Sequence, residues 1–305
     1  MNYGFLGALC MLFLAVCAPS YESSRSNFDS LRQNISNRIE TDEQCIAVAF
    51  ENLATGDTFL FNEKAMMHAA SLMKVPVMIE VYGQAEGGAF SMNDSLPITN
   101  EFKSIVDGSP FSLTFDEDAL ESVYARLGQK MRIRDLAYFM IIESSNLATN
   151  ILIEKVGAEN VMQRMKAFHA NDIRVLRGVE DLKAFHQGLN NTTTAFDMLL
   201  LMKAVARHEA ISFAASEDML KILADQTFKT KIPALLPAGT KVAHKTGHIT
   251  AIDHDAAIIT HPNGQQYVLV VLTKGFEQAE AEKHIAEISR NLFDLIDSTG
   301  IGYKR

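Results

Sequence analysis

The stretch KVAHKTGHITAIDHDAAIITHPNGQQYVLVVLTK, residues 241–274, decides the fold. Lys241–Lys245, Ala256–His261 and Tyr267–Thr273 read as three strands, because apolar and β-branched residues concentrate there between turn signals. Asn263-Gly264 supplies a tight hairpin turn between the last two. Near the other end of the chain, Cys45–Asn52 and Thr58–Asn62 read as two more strands around the turn Thr55-Gly56-Asp57. A two-stranded hairpin is not stable alone, so strands from both ends must share one sheet. The pattern predicts an α+β fold: an antiparallel sheet of about five strands flanked by N- and C-terminal helices, with an all-helical lobe inserted after the second strand.

The helices follow from 3.6-residue periodicity. Asn27–Glu40 places Phe28, Leu31, Ile35 and Ile39 on one stripe, and Gln278–Ile296 does the same with Ile285, Ile288, Leu292 and Leu295. Between the strand groups, Ser71–Ala85 is apolar nearly all round, which predicts a buried central helix. Ile133–Val156 is helical with a break near Ser144-Ser145-Asn146, and Glu159–His169, Thr194–His208 and Ser216–Phe228 complete the lobe. Leu96–Leu127 is irregular and holds the turn cluster Asp107-Gly108-Ser109-Pro110, and Ile173–Asn191 reads as a long loop. One domain thus spans residues 27–297, with a sheet lobe at 27–65 and 230–297 and a helical lobe at 66–229.

Of 305 residues, 48% are hydrophobic and 21% charged, which excludes disordered and low-complexity classes. Lys+Arg number 28 against 37 Asp+Glu, a formal charge of -9, which argues against nucleic-acid binding. Residues 1–18 carry no charged side chain and hold an apolar run, Phe5–Ala18, shorter than a bilayer span, as in a secretory signal peptide, so the chain is expected to be exported to the periplasm. Two endings are open: cleavage near Cys17 or Ala18, or lipidation of Cys17 within Leu14-Ala15-Val16-Cys17, which would anchor the chain to a membrane. Cys10 and Cys17 lie in this leader, and Cys45 opens an apolar strand as a packed residue. No His pair has the spacing of a zinc site, so neither metal nor cofactor is expected.

Three short motifs carry chemistry. Ser71-Leu72-Met73-Lys74 opens the central helix, and a spacing of three puts Ser71 and Lys74 on one face. A serine in a first turn meets free backbone N–H groups, and a desolvated lysine beside it can take its proton. Alone the pattern is weak, since a 300-residue chain shows on the order of one by chance. Ser144-Ser145-Asn146 offers a hydroxyl relay and an amide, or merely a capping cluster. Lys245-Thr246-Gly247 ends a strand, where Lys245 and Thr246 could bind a carboxylate and Gly247 allows close backbone approach.

Together and in this order, the three motifs resemble the class A β-lactamase family of penicillin-recognising serine hydrolases. The resemblance runs from about Asn27 to Ile296 and includes the Thr192-Thr193-Thr194 run. It implies Ser71 as the acylated nucleophile, Lys74 as its activating partner and Ser144 as proton relay, with Asn146 on the floor of the site. It also implies Lys245 and Thr246 as a carboxylate clamp, and the backbone N–H groups of Ser71 and His248 as the oxyanion hole. Asn150 matches the asparagine that tethers the loop bearing the deacylating glutamate. Three departures stand out. Ser145 replaces the usual Asp, and the Glu101–Tyr124 stretch is longer than usual. The loop reads Arg177-Gly178-Val179-Glu180-Asp181-Leu182-Lys183 where the family has Glu-x-x-Leu-Asn, leaving Glu180 as the best base without the water-holding Asn.

The resemblance implies an exported hydrolase that opens β-lactam rings through a serine acyl-enzyme. The alternative is a D-Ala-D-Ala peptidase or esterase of the same fold, and a non-hydrolytic penicillin sensor is a third reading. The expected partner is a small-molecule β-lactam or D-Ala-D-Ala-like substrate, bound by a monomer. The two hydrolase readings separate at Glu180, because fast turnover needs a base aimed at a water beside the ester.

Overall fold

The computed structural model describes residues 20–114 and 122–298. The expected signal peptide with Cys17, and part of the long Glu101–Tyr124 stretch, lie outside the described residues. The described chain opens with α1 (Ser20–Ser36) and the strands β1 (Cys45–Asn52) and β2 (Thr58–Phe61). Strand β3 (Met67–His68) leads into a 3-10 turn (Ala70–Met73) and α2 (Lys74–Glu86). The short strands β4 (Ser95–Pro97), β5 (Phe102–Lys103), β6 (Pro110–Phe111) and β7 (Lys130–Arg132) precede α3 (Ile133–Ile142), α4 (Asn146–Val156) and α5 (Ala158–Ala167). Then come α6 (Leu182–His186), β8 (Thr192–Thr193), α7 (Ala195–Ala206) and α8 (Phe213–Ala224). The strands β9 (Lys241–Ile249), β10 (Ile252–Thr260) and β11 (Gln266–Lys274) are followed by α9 (Gln278–Ser298).

The predicted sheet is present: five antiparallel strands in the order β2-β1-β11-β10-β9. The two chain ends join where β1 pairs β11, with Val48 opposite Val271 and Phe50 opposite Leu269. Alternation along each strand divides the core in two. Ala47, Ala49, Ile258, Val268, Val270 and Leu272 face the helical lobe. Ile46, Val48, Phe50, Ile259, Leu269 and Val271 face the terminal helices, packing with Leu31 and Ile35 of α1 and Ile285, Ile288 and Leu292 of α9. In the helical lobe, α2 is buried without interruption from Lys74 to Tyr82.

Several elements differ from the sequence reading. β9 runs on to Ile249, so Lys245-Thr246-Gly247 sits inside the strand rather than at its end. The polar residues that break the apolar pattern there are matched across the ladder, with His248 opposite Asp253, Gly247 opposite His254 and Thr246 opposite Asp255. Buried polar side chains are tolerated when they find partners, and His244 Nδ1 meets Asp255 Oδ1 at 2.9 Å. Ser71 lies in the 3-10 turn, and the α-helix begins only at Lys74. Pro76 has no N–H to give the Leu72 carbonyl, so a regular α-helix does not extend back through Ser71.

The expected long loop carries α6 and is closed at its neck, where Arg174 N donates to Thr192 O at 2.8 Å and Thr192 N donates back at 3.0 Å. α7 is capped by Thr194 Oγ1, which accepts from Asp197 N at 3.1 Å. α8 starts earlier than its pattern suggested, because Ser212 caps it by accepting from Ala215 N.

Leu292 is fully buried between α9 and the sheet. Leu292→Ala is expected to lower the unfolding free energy by about 2–5 kcal/mol. Urea denaturation with the midpoint unchanged would mean that α9 does not anchor the sheet face.

Candidate active site

The site forms where the edge strand β9 lies against the 3-10 turn. Ala70 adopts the left-handed region at φ 45°, and its N–H donates to His68 Nδ1 at 3.0 Å. A Cβ on Gly247 would stand 3.2 Å from the Ala70 Cβ and 3.4 Å from the Ala69 carbonyl oxygen. Glycine at this position therefore lets the strand approach the turn that carries Ser71. Between them opens a cleft of about 270 Å³, lined by Ser71, Ser144, Asn146, Lys231, Thr246 and His248 among others.

Two lysines lie behind this lining, and both are fully buried. Lys74 Nζ donates to the Ser144 carbonyl at 2.5 Å, to Ser144 Oγ at 3.1 Å and to Asn146 Oδ1 at 2.8 Å. Lys245 Nζ donates to the same Ser144 Oγ at 3.1 Å and to the Thr246 carbonyl at 2.8 Å. The junction between α3 and α4 makes this possible. Ser144 sits at φ 59°, with its carbonyl and its hydroxyl both on Lys74, while Ser145 caps α4 by accepting from Ala148 N at 3.2 Å. The Ser144 hydroxyl accepts from both lysines, which leaves its own proton for a ligand in the cleft. Burial pushes the Lys245 ammonium well below the ordinary lysine range; Lys74 and Lys231 push the same way, and Asp255 opposes them.

Lys231 is a site residue that sequence reasoning missed. Its Nζ donates to the Gly247 carbonyl at 2.8 Å and pairs with Asp253 Oδ1 at 2.8 Å. His248 Nδ1 meets that same oxygen at 3.0 Å. Nothing local marks Lys231, since its partners come from β9 and β10.

The loop delivers the carboxylate. Glu180 Oε1 accepts from Asn146 Nδ2 at 2.7 Å, so one amide joins Lys74 to Glu180. Asn150 holds the segment just before, accepting from Val179 N at 2.7 Å and donating to Val179 O at 3.0 Å. Gly178 packs on that amide, with a Cβ there falling 2.5 Å from Asn150 Oδ1. The Arg177 guanidinium closes the loop on itself, donating to the Leu189 and Gly178 carbonyls at 2.9 Å each. The structure thus brings Ser71, Ser144, Asn146, Thr246 and His248 to one cleft, with Lys74 and Lys245 bonded to Ser144 behind it, Gly247 packed on the Ser71 turn and Glu180 reached through Asn146. Such an array can support acyl transfer: a hydroxyl, amines to move its proton, a second hydroxyl and a carboxylate.

Comparisons with known proteins bear on the family and the fold. The model of the beta-lactamase enzyme family matches residues 30–296. The chain is 26% identical over 280 residues to Beta-lactamase VEB-1 of Pseudomonas aeruginosa, covering 88% of this chain and 90% of that one. Among solved structures, TLA-3 extended-spectrum beta-lactamase superposes with a TM-score of 0.76 at 23% identity, covering 88% of this chain and 99% of that one. A mutant of PBP-A in acyl-enzyme complex with penicillin G gives a TM-score of 0.76 at 23% identity, covering 90% and 97%. The two structural likenesses concern the fold.

The buried Lys245 generates a stability prediction. Its lowered pKa means that the unfolded chain holds this proton over a pH range in which the folded chain has released it. Stability then rises with pH across that range, up to the ordinary lysine value. Lys245→Met is expected to be more stable than the wild type near neutrality, with an excess that shrinks as the pH approaches ~10. Denaturant titrations across pH check this; an excess that grows with pH would refute it.

Proposed function

The chain belongs to the class A beta-lactamase family of serine hydrolases, and on that premise we propose that it opens β-lactam rings through an acyl-enzyme on Ser71. The Asn146 amide carries the reading, because it accepts from Lys74 at 2.8 Å and donates to Glu180 at 2.7 Å. A buried amine and a carboxylate thereby converge on the cleft that Ser71 lines.

In acylation, Ser71 Oγ adds to the lactam carbonyl carbon while its proton passes to the Lys74 amine. The developing oxyanion is held by the backbone N–H groups of Ser71 and His248. The ring C–N bond then breaks, and the nitrogen takes the Ser144 hydroxyl proton, which Lys74 replaces along the hydrogen bond they share. In deacylation, Glu180 takes a proton from water as the water oxygen adds to the ester carbonyl. The C–Oγ bond breaks and Ser71 recovers a proton from Glu180, so one water is consumed overall. The Thr246 hydroxyl and the Lys231 amine line the cleft, with Lys245 buried beside them, and offer donors to a ligand. This suits the carboxylate of the substrate.

A D-Ala-D-Ala peptidase or esterase would share the acylation steps and lack a base aimed at the ester. The contact of Glu180 with Asn146 favours β-lactam hydrolysis over that alternative.

A chromogenic cephalosporin tests the reading. Ser71→Ala is expected to abolish both turnover and the covalent adduct seen by mass spectrometry. Glu180→Gln, which keeps an oxygen for Asn146, should still acylate, then stall after a burst with turnover slowed ~10²–10⁴-fold. An adduct that survives Ser71→Ala, or steady turnover in Glu180→Gln, would sink it.

A further inference from the structure

Glu180 adopts the left-handed region at φ 62°. For a residue with a side chain that conformation is unfavourable, and it persists where the neighbouring chain is held on both sides. Asn150 holds the upstream side through Val179. On the downstream side stands Asp181, a residue only 2% exposed. Asp181 Oδ1 accepts from Ser104 Oγ at 2.9 Å and from Ala184 N at 3.1 Å, and its Oδ2 accepts from Ile105 N at 2.9 Å. A helix cap would need only the Ala184 bond. The other two donors come from the turn between β5 and β6, 76–77 residues away in sequence.

That hairpin is stiffened from within. Ser104 N donates to Ser109 O at 2.9 Å, Gly108 N donates to Ser104 O at 2.9 Å, and Val106 N donates to Ser104 Oγ at 3.3 Å. It belongs to the stretch that is longer than the family pattern, in a chain whose loop lacks the usual asparagine after its glutamate. A second, exposed contact joins the same two segments, Lys183 Nζ to Asp107 Oδ2 at 2.9 Å. Exposed pairs of this kind contribute little.

We propose that the β5–β6 hairpin is a clamp that orients Glu180 through Asp181, making Asp181 and Ser104 positioning residues for deacylation. The clamp rests on the reading of Glu180 as the base. It holds the backbone on one side of Glu180 while Asn150 holds the other, so the carboxylate stays on Asn146 while the acyl-enzyme waits for water. It also draws the neighbouring Asp181 carboxylate into the hairpin, so that Glu180 faces the cleft without a competing acid.

The test separates acylation from deacylation by stopped-flow with the chromogenic cephalosporin, using Asp181→Ala, Ser104→Ala, Lys183→Ala and Glu180→Gln in the full chain. Asp181→Ala and Ser104→Ala are expected to acylate within about twofold of wild type and to deacylate roughly 10–100-fold more slowly, with acyl-enzyme visible by mass spectrometry. Lys183→Ala should behave as wild type, and Ser104→Ala added to Glu180→Gln should slow deacylation no further. Wild-type deacylation in the two clamp variants, or equal losses in both steps, overturns the clamp. If Asp181→Ala does not fold, Ser104→Ala, which removes a single hydroxyl, decides. If Glu180→Gln stalls while the clamp variants turn over normally, only the clamp fails; if Glu180→Gln deacylates normally, the reading of Glu180 falls and the clamp with it.

Discussion

Two fully buried lysines, Lys74 and Lys245, meet on the hydroxyl of Ser144, and the two lobes are joined to satisfy them. Burying an ammonium group without acceptors costs several kcal/mol, so each must find oxygens inside the protein. Neither lysine finds its whole set in its own element. Lys74 from α2 and Lys245 from β9 both take acceptors from the junction of α3 and α4. That junction offers a free carbonyl and a hydroxyl together because Ser144 adopts the left-handed region. The cleft therefore lies where the helical lobe and the edge of the sheet must come into register.

The same requirement explains the polar centre of β9 and β10. A strand interior with His244, Lys245, Thr246, Asp253, His254 and Asp255 would be unstable as an isolated hairpin. Here His244 lies on Asp255, His254 Nε2 donates to the His68 carbonyl at 2.9 Å, and Asp253 takes both Lys231 and His248. Burial pushes the His254 pKa down to about 4, so this ring stays neutral under ordinary conditions. Gly247, without a side chain, brings this network against the Ser71 turn.

Charge is divided rather than uniform. The chain is acidic overall, yet Lys74, Lys231 and Lys245 gather at one cleft, and the carboxylates near them are engaged. Asp253 and Asp255 are held within the strands, Asp181 is held by the hairpin, and Glu180 rests on Asn146. Buried amines and carboxylates are thus interleaved around one cleft inside an acidic molecule.

Much of the fold was legible in the chain because it depends on local periodicity. The continuous apolar runs of β1 and β11, the stripe of Ile285, Ile288 and Leu292 in α9, and the hairpin turn at Asn263-Gly264 each follow from neighbouring residues. The three motifs could be read in the same way, with Ser71, Lys74, Ser144, Asn146, Lys245 and Thr246 named by spacing and order. Tertiary structure decided the rest. The full length of β9, the place of Lys231, the 3-10 geometry at Ser71 and the grip of Ser104 on Asp181 all depend on partners far along the chain. Glu180 reaches the cleft by a bond to an amide 34 residues earlier in sequence. The physical reason is that apolar burial leaves a periodic signature within each element, whereas a buried polar group is stabilised only by the partner that folding brings to it.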